Sequence, residues 1–128
     1  MYRLEPLTPA LAIVRYPADV LPDWVLTLVH SPNLWSITRT DAELSIICDV
    51  RAVPEGQTAD VSQPWRALRV VGQLDFSLTG VLASLAVPLA EAGISIFALS
   101  TFDTDYLLVK EEMLEPACEV LRSEERRV

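Results

Sequence analysis

Hydrophobic and polar positions alternate along the chain in blocks that change period, and the changes mark its elements. Leu11 to Tyr16 is apolar except for Arg15 and is bounded by Pro9 and Pro17, the pattern of a buried strand. Pro22-Asp-Trp-Val-Leu-Thr-Leu-Val29 then takes helical spacing. Pro22 suits a first helical turn and Asp23 complements the helix dipole, so a short helix is expected, closed by Ser31-Pro-Asn33. Leu34 to Thr38 and Leu44 to Cys48 read as strands joined by a hairpin connection over Arg39 to Glu43.

Residues 51–64 turn polar and carry Pro and Gly, which predicts an exposed loop. Trp65 to Leu74 reads as a strand with imperfect alternation. After Gly80, the residues Val81, Leu82, Leu85, Ala86, Leu89 and Ala92 form one apolar stripe at helical spacing. Thr79 fits an N-cap and Gly93 a C-terminal stop, while Pro88 is expected to bend or split the helix. Ile94 to Leu99 and Tyr106 to Val109 predict a second hairpin, and Glu111 to Leu121 an amphipathic helix. The segment Leu34–Ile47 lies over Ile96–Val109 at an offset of 62 residues. Two halves follow, 1–62 and 63–128, each reading β-α-β-β, with a further helix in the second. The class is α+β, with mainly antiparallel sheets and helices on one face.

Composition narrows the function. With 128 residues, 51% hydrophobic and 22% charged, the chain is globular. A net charge of −8 disfavours nucleic acid and anionic membrane surfaces as partners. No apolar run approaches a membrane span, and the opening Met1-Tyr-Arg-Leu-Glu-Pro lacks the apolar core of a signal peptide, so a cytoplasmic location is expected. Cys48 and Cys118 form no CxxC and read as reduced, packed thiols. His30 is the only histidine and no ligand cluster surrounds it, so neither metal nor cofactor is expected. Phosphate-loop motifs are absent, and the pair Asp103 and Asp105 is a thin basis for proton transfer. No catalytic residue is assigned, and the chain is read as a non-enzyme.

The stretch Asp75 to Val109 carries the candidate chemistry. A loop opening into a helix offers free amide N–H groups that can hold a carboxylate, here at Thr79, Gly80 and Val81. Asp75 and Asp105 can hold an ammonium, so a site with both halves suits a free amino acid. Each residue also has a plainer reading. Asp105 can be a hairpin aspartate bonded to its own backbone, and Thr79-Gly80-Val81 an ordinary capped helix start. Asp75 can face water, Phe102 can be a packing residue, and Ser45 can point to a partner surface.

Leu34-Trp-Ser-Ile-Thr-Arg-Thr-Asp-Ala-Glu-Leu-Ser-Ile-Ile-Cys48, Pro88-Leu-Ala-Glu-Ala-Gly-Ile-Ser-Ile96 and Ser100-Thr-Phe-Asp-Thr-Asp-Tyr106 together resemble an ACT domain. The branch is that shared by short bacterial ACT proteins and the animal cytosolic arginine sensor. The resemblance covers about residues 10–121. It implies tandem ferredoxin-like βαββαβ sandwiches that bind small effectors, usually amino acids, and associate in pairs. By motif it implies ligand contacts at Ser45 and Ile46 on a strand, and at the loop and helix start Asp75 to Leu82, including Leu78, Thr79, Gly80, Val81 and Leu82. It implies further contacts at Thr101, Phe102 and Asp105 in the turn. The first half departs from the pattern, because Pro17 to Pro22 lacks the usual Gly. The expected function is a non-catalytic regulatory module that binds an amino acid and forms a homodimer. The alternative is a ligand-free homodimeric interaction module. The ligand's side chain, cationic or aromatic or aliphatic, and the downstream target stay open.

Overall fold

Strand alternation divides the chain into inward and outward residues, and each inward set finds its own helices. The computed structural model describes residues 2–56, 59–72 and 80–123. Its strands are β1 (Tyr2–Pro6), β2 (Leu11–Tyr16), β3 (Ser36–Arg39), β4 (Leu44–Asp49), β5 (Asp60–Gly72), β6 (Ile96–Ser100) and β7 (Asp105–Lys110). Its α-helices are α1 (Val81–Glu91) and α2 (Leu114–Ser123). Two compact units result, one of Pro9–Trp65 and the other of Met1–Thr8 with Arg66–Val128.

In the unit Pro9–Trp65 the strands run in the order β3-β4-β2-β5, the last contributing only its first residues. Ala12, Val14 and Tyr16 of β2 and Leu44, Ile46 and Cys48 of β4 form one buried face. Val25 and Leu28 cover that face from Asp23–His30. This segment is a 3-10 helix, closed by bonds such as Val25 N–H to Pro22 C=O at 3.1 Å. Three residues per turn stack Val25 directly under Leu28, and β-branched Val25, Thr27 and Val29 weaken the α alternative. At the end of β4, the Asp49 carboxylate is only 8% exposed. It accepts from the Arg51 backbone (2.9 Å) and guanidinium (2.7 Å) and from Asn33 Nδ2 (3.2 Å). The Arg51 bond holds its pKa below the usual carboxylate value, against the opposing effect of burial.

In the other unit the order is β1-β5-β7-β6. Leu4, Leu68, Val70, Leu107 and Val109 face inward at period two. Leu85 and Leu89 of α1 and Ala117, Cys118 and Leu121 of α2 close the core over them. The fourth strand of this module comes from the chain's start, and Glu5 and Arg69 face each other across β1 and β5 with a 2.6 Å ion pair. Only Leu4 is fully buried among the described side chains of β1, so sequence alternation left that strand unread. β5 serves both units in turn, pairing through its early residues with β2 and its late ones with β1. Hence residues 60–64, expected in a loop, are strand. The fold is α+β with antiparallel pairing, as the periodicity predicts.

Gly93 stops α1 as expected. Its φ of +76° lets its N–H reach Ala90 C=O (3.0 Å) while Ile94 N–H reaches Leu89 C=O (2.9 Å). Pro88 does not split the helix. It sits in the last turn, and Ala92 N–H still bonds Pro88 C=O at 3.1 Å.

Candidate functional site at the start of α1

β5 ends at Gly72, and α1 begins at Val81, directly after Gly80. Gly80 has φ +82°, a left-handed conformation, and occupies the N-cap without any side-chain cap bond. A Cβ there would meet nothing within 4 Å, so the dihedral angle and not crowding calls for glycine. The first helical bond is Ser84 N–H to Gly80 C=O at 2.8 Å. The N–H groups of Val81, Leu82 and Ala83 therefore have no acceptor within the helix, and the dipole adds partial positive charge there.

α1 packs along β6, and the Gly93 turn reverses the chain between them. Eleven helical residues rise about 16 Å, close to the span of the five-residue strand, so Ser100 returns to the end where Gly80 lies. Thr104 fixes the turn at this end to β5, its hydroxyl donating to Val70 C=O at 2.5 Å. Asp105 opens β7 opposite Ser100 and shares the helix-bearing face with Leu107 and Val109. Ser100 Oγ donates to Asp105 Oδ1 at 2.6 Å. Asp105 Oδ2 takes no hydrogen bond among the described residues.

The turn has a counterpart in the other unit. Thr101 N–H donates to Thr104 C=O at 2.8 Å, and Thr40 N–H donates to Glu43 C=O at 2.9 Å. The hydroxyls of Thr101 and Thr40 both accept amides inside their own turns. The structural repeat thus runs from Thr40 to Thr101, an offset of 61, one less than the apolar pattern implies. In that register Arg39 and Leu44 close the first turn where Ser100 and Asp105 close the second. The same turn forms with Leu44 in the place of Asp105, so no acid is needed at that position to build it. The Asp105 carboxylate bonds a side chain, that of Ser100, and not its own backbone, unlike the plain hairpin aspartate.

The other expected site residues distribute as follows. Val81 and Leu82 are half-buried against the core. The Thr101 hydroxyl bonds within its turn, and Phe102 at the tip is 84% exposed. Ser45 and Ile46 belong to the unit Pro9–Trp65. There Ile46 is fully enclosed, and alternation turns Ser45 to the opposite face beside Arg15 and Thr38. Asp75, Leu78 and Thr79 lie outside the described residues. Sequence reasoning missed Ser100 and Thr104. The available signal was spacing, since a four-residue turn makes Ser100 and Asp105 cross-strand partners.

Cys48 and Cys118 are free and buried, as read from the sequence. Burial, with Asp49 adding to it, pushes the Cys48 thiol up to about 11. Among the described residues, no group of three or more His, Cys, Asp or Glu could hold a metal ion, and no helix is long and apolar enough to cross a membrane.

The ACT domain profile matches residues 60–123. The human cytosolic arginine sensor for mTORC1 subunit 1 is 41% identical over 66 residues, which are 51% of this chain and 20% of the relative. The chain thus spans about a fifth of the length of these curated relatives. The crystal structure of protein Atu0741 from Agrobacterium tumefaciens superimposes with a TM-score of 0.86 at 34% identity, covering 98% of this chain and 90% of that one. The regulatory subunit of aspartate kinase from Thermus thermophilus, in its ligand-free form, has a TM-score of 0.68 at 12% identity, over 94% and 95% of the two chains. That last likeness is one of fold alone. The profile spans half of this chain and falls on the unit with Gly80 and Asp105: the chain belongs to the ACT domain family.

Proposed function

We propose that the chain is a non-catalytic regulatory module that binds a free amino acid at the start of α1. The ligand carboxylate meets the N–H groups of Val81 to Ala83, and its α-ammonium meets Asp105. The observation that carries this reading is the Asp105 carboxylate. It lies on the helix-bearing face at the end where α1 begins, with Oδ2 unbonded among the described residues, at a position that Leu44 fills in the counterpart hairpin. In this reading Thr101 and Phe102 border the ligand from the turn, and the exposed Phe102 ring covers its side chain. The name of the arginine sensor supports an amino acid as the ligand class and a cytoplasmic location.

Homodimer formation belongs to the same proposal. β3 and β6 end their strand orders, and an open strand edge accepts a second copy. Light scattering coupled to size exclusion reads the mass directly. A thermal-shift screen of the twenty amino acids tests the binding reading. Ligand at 100 times its Kd adds about 2.7 kcal/mol of stability. A chain that none of the twenty stabilises is not an amino-acid sensor.

A further inference from the structure

We infer that Ser100 is a positioning residue, which aims the Asp105 carboxylate at the ligand's α-ammonium. The inference rests on the proposed amino-acid site and adds a residue to it. Ser100 and Asp105 are register partners at the mouth of the β6–β7 hairpin, and the Ser100 hydroxyl donates to Asp105 Oδ1 at 2.6 Å. A carboxylate at a strand end rotates about two side-chain bonds. One short bond to Oδ1 fixes that rotation and leaves Oδ2 turned outward to accept from a cation.

Two observations separate this role from hairpin closure. The Thr40–Glu43 turn has the same backbone bond, flanked by Arg39 and Leu44, so neither a serine nor an acid is needed at the flanking pair to make it. The second turn is also anchored independently of Ser100. Thr101 bonds Thr104 within the turn, and Thr104 bonds Val70 C=O on β5 at 2.5 Å. The hydrogen bond between Ser100 and Asp105 is therefore spare as far as folding goes. What it does is choose the direction in which the carboxylate points.

The test uses the full chain as wild type, Ser100→Ala, Ser100→Thr and Asp105→Ala. The first probe is the amino acid that raises the melting temperature most among the twenty. The second is the same compound with hydrogen in place of its α-ammonium, which for L-arginine is 5-guanidinopentanoate. Freeing one side chain that binding must order again weakens affinity about two- to tenfold. Ser100→Ala is expected to lose that factor for the amino acid and nothing for the deaminated probe. Ser100→Thr, which keeps the hydroxyl, is expected to bind as wild type, and the unliganded melting temperatures are expected to agree.

If wild type binds and Asp105→Ala weakens it while Ser100→Ala does not, the positioning role is wrong and the site stands. Equal losses for both probes give Ser100 a general structural role and also overturn the inference. A wild type that none of the twenty amino acids stabilises overturns the site and this role together.

Discussion

Replacing Gly80 by alanine isolates one backbone angle. The residue has φ +82° and its missing Cβ would touch nothing within 4 Å, so packing contributes nothing to the effect. An L side chain in the left-handed region costs about 1–2 kcal/mol. Against this, alanine narrows the unfolded ensemble and returns about 0.4–1 kcal/mol. The net expectation is a destabilisation of about 1 kcal/mol. For a chain of 128 residues, that lowers the melting temperature by about 4 °C, since unfolding entropy scales with length. Circular dichroism melts of wild type, Gly80→Ala and Gly80→Asn supply the measurement. Asparagine tolerates the left-handed region better, so its loss is expected to be the smaller. A Gly80→Ala protein more stable than wild type would refute the reasoning, because only a right-handed or extended residue gains from that change.

Two further perturbations probe the cores. Leu85 is fully buried on the inward face of α1 whereas Val87 on the same helix is 53% exposed, so Leu85→Ala is expected to cost about 2–5 kcal/mol in urea unfolding and Val87→Ala under about 0.5 kcal/mol; equal losses would contradict the placement of that helix face. The pKa of Asp49 is lowered in the fold, chiefly by Arg51, so its contribution is present above the unfolded carboxylate value of about 4 and is lost as pH falls through the folded value. Asp49→Asn is expected to flatten the fall of stability in that acid range, and an unchanged slope would show that the Arg51 bond does not hold in solution.

Much of the architecture was legible in periodicity. The hairpins, α1 and its Gly93 stop follow from alternation and helical spacing, because each buries one continuous stripe. β1 was not legible, since its partners on β5 lie more than 60 residues away and only Leu4 is buried along its described side chains. The first helix was placed but its pitch was not, because Val25 and Leu28 fit either a 3-10 or an α stripe. The repeat was visible at an offset of 62 instead of 61. Apolar residues tolerate a one-residue slide where turn bonds do not, so Thr40 and Thr101 set the true register. In the site, Gly80 and Asp105 stood out by residue type. Ser100 did not, because a serine beside a strand acquires meaning only from its cross-strand partner.

Isothermal calorimetry on wild type and Asp105→Ala, with the amino acid that stabilises the chain most, tests the central claim most directly. Losing a charge-assisted bond to the α-ammonium weakens binding by about 1.5–3 kcal/mol. The account predicts that loss with the unliganded melting temperature unchanged. Equal affinity in the two proteins would contradict it.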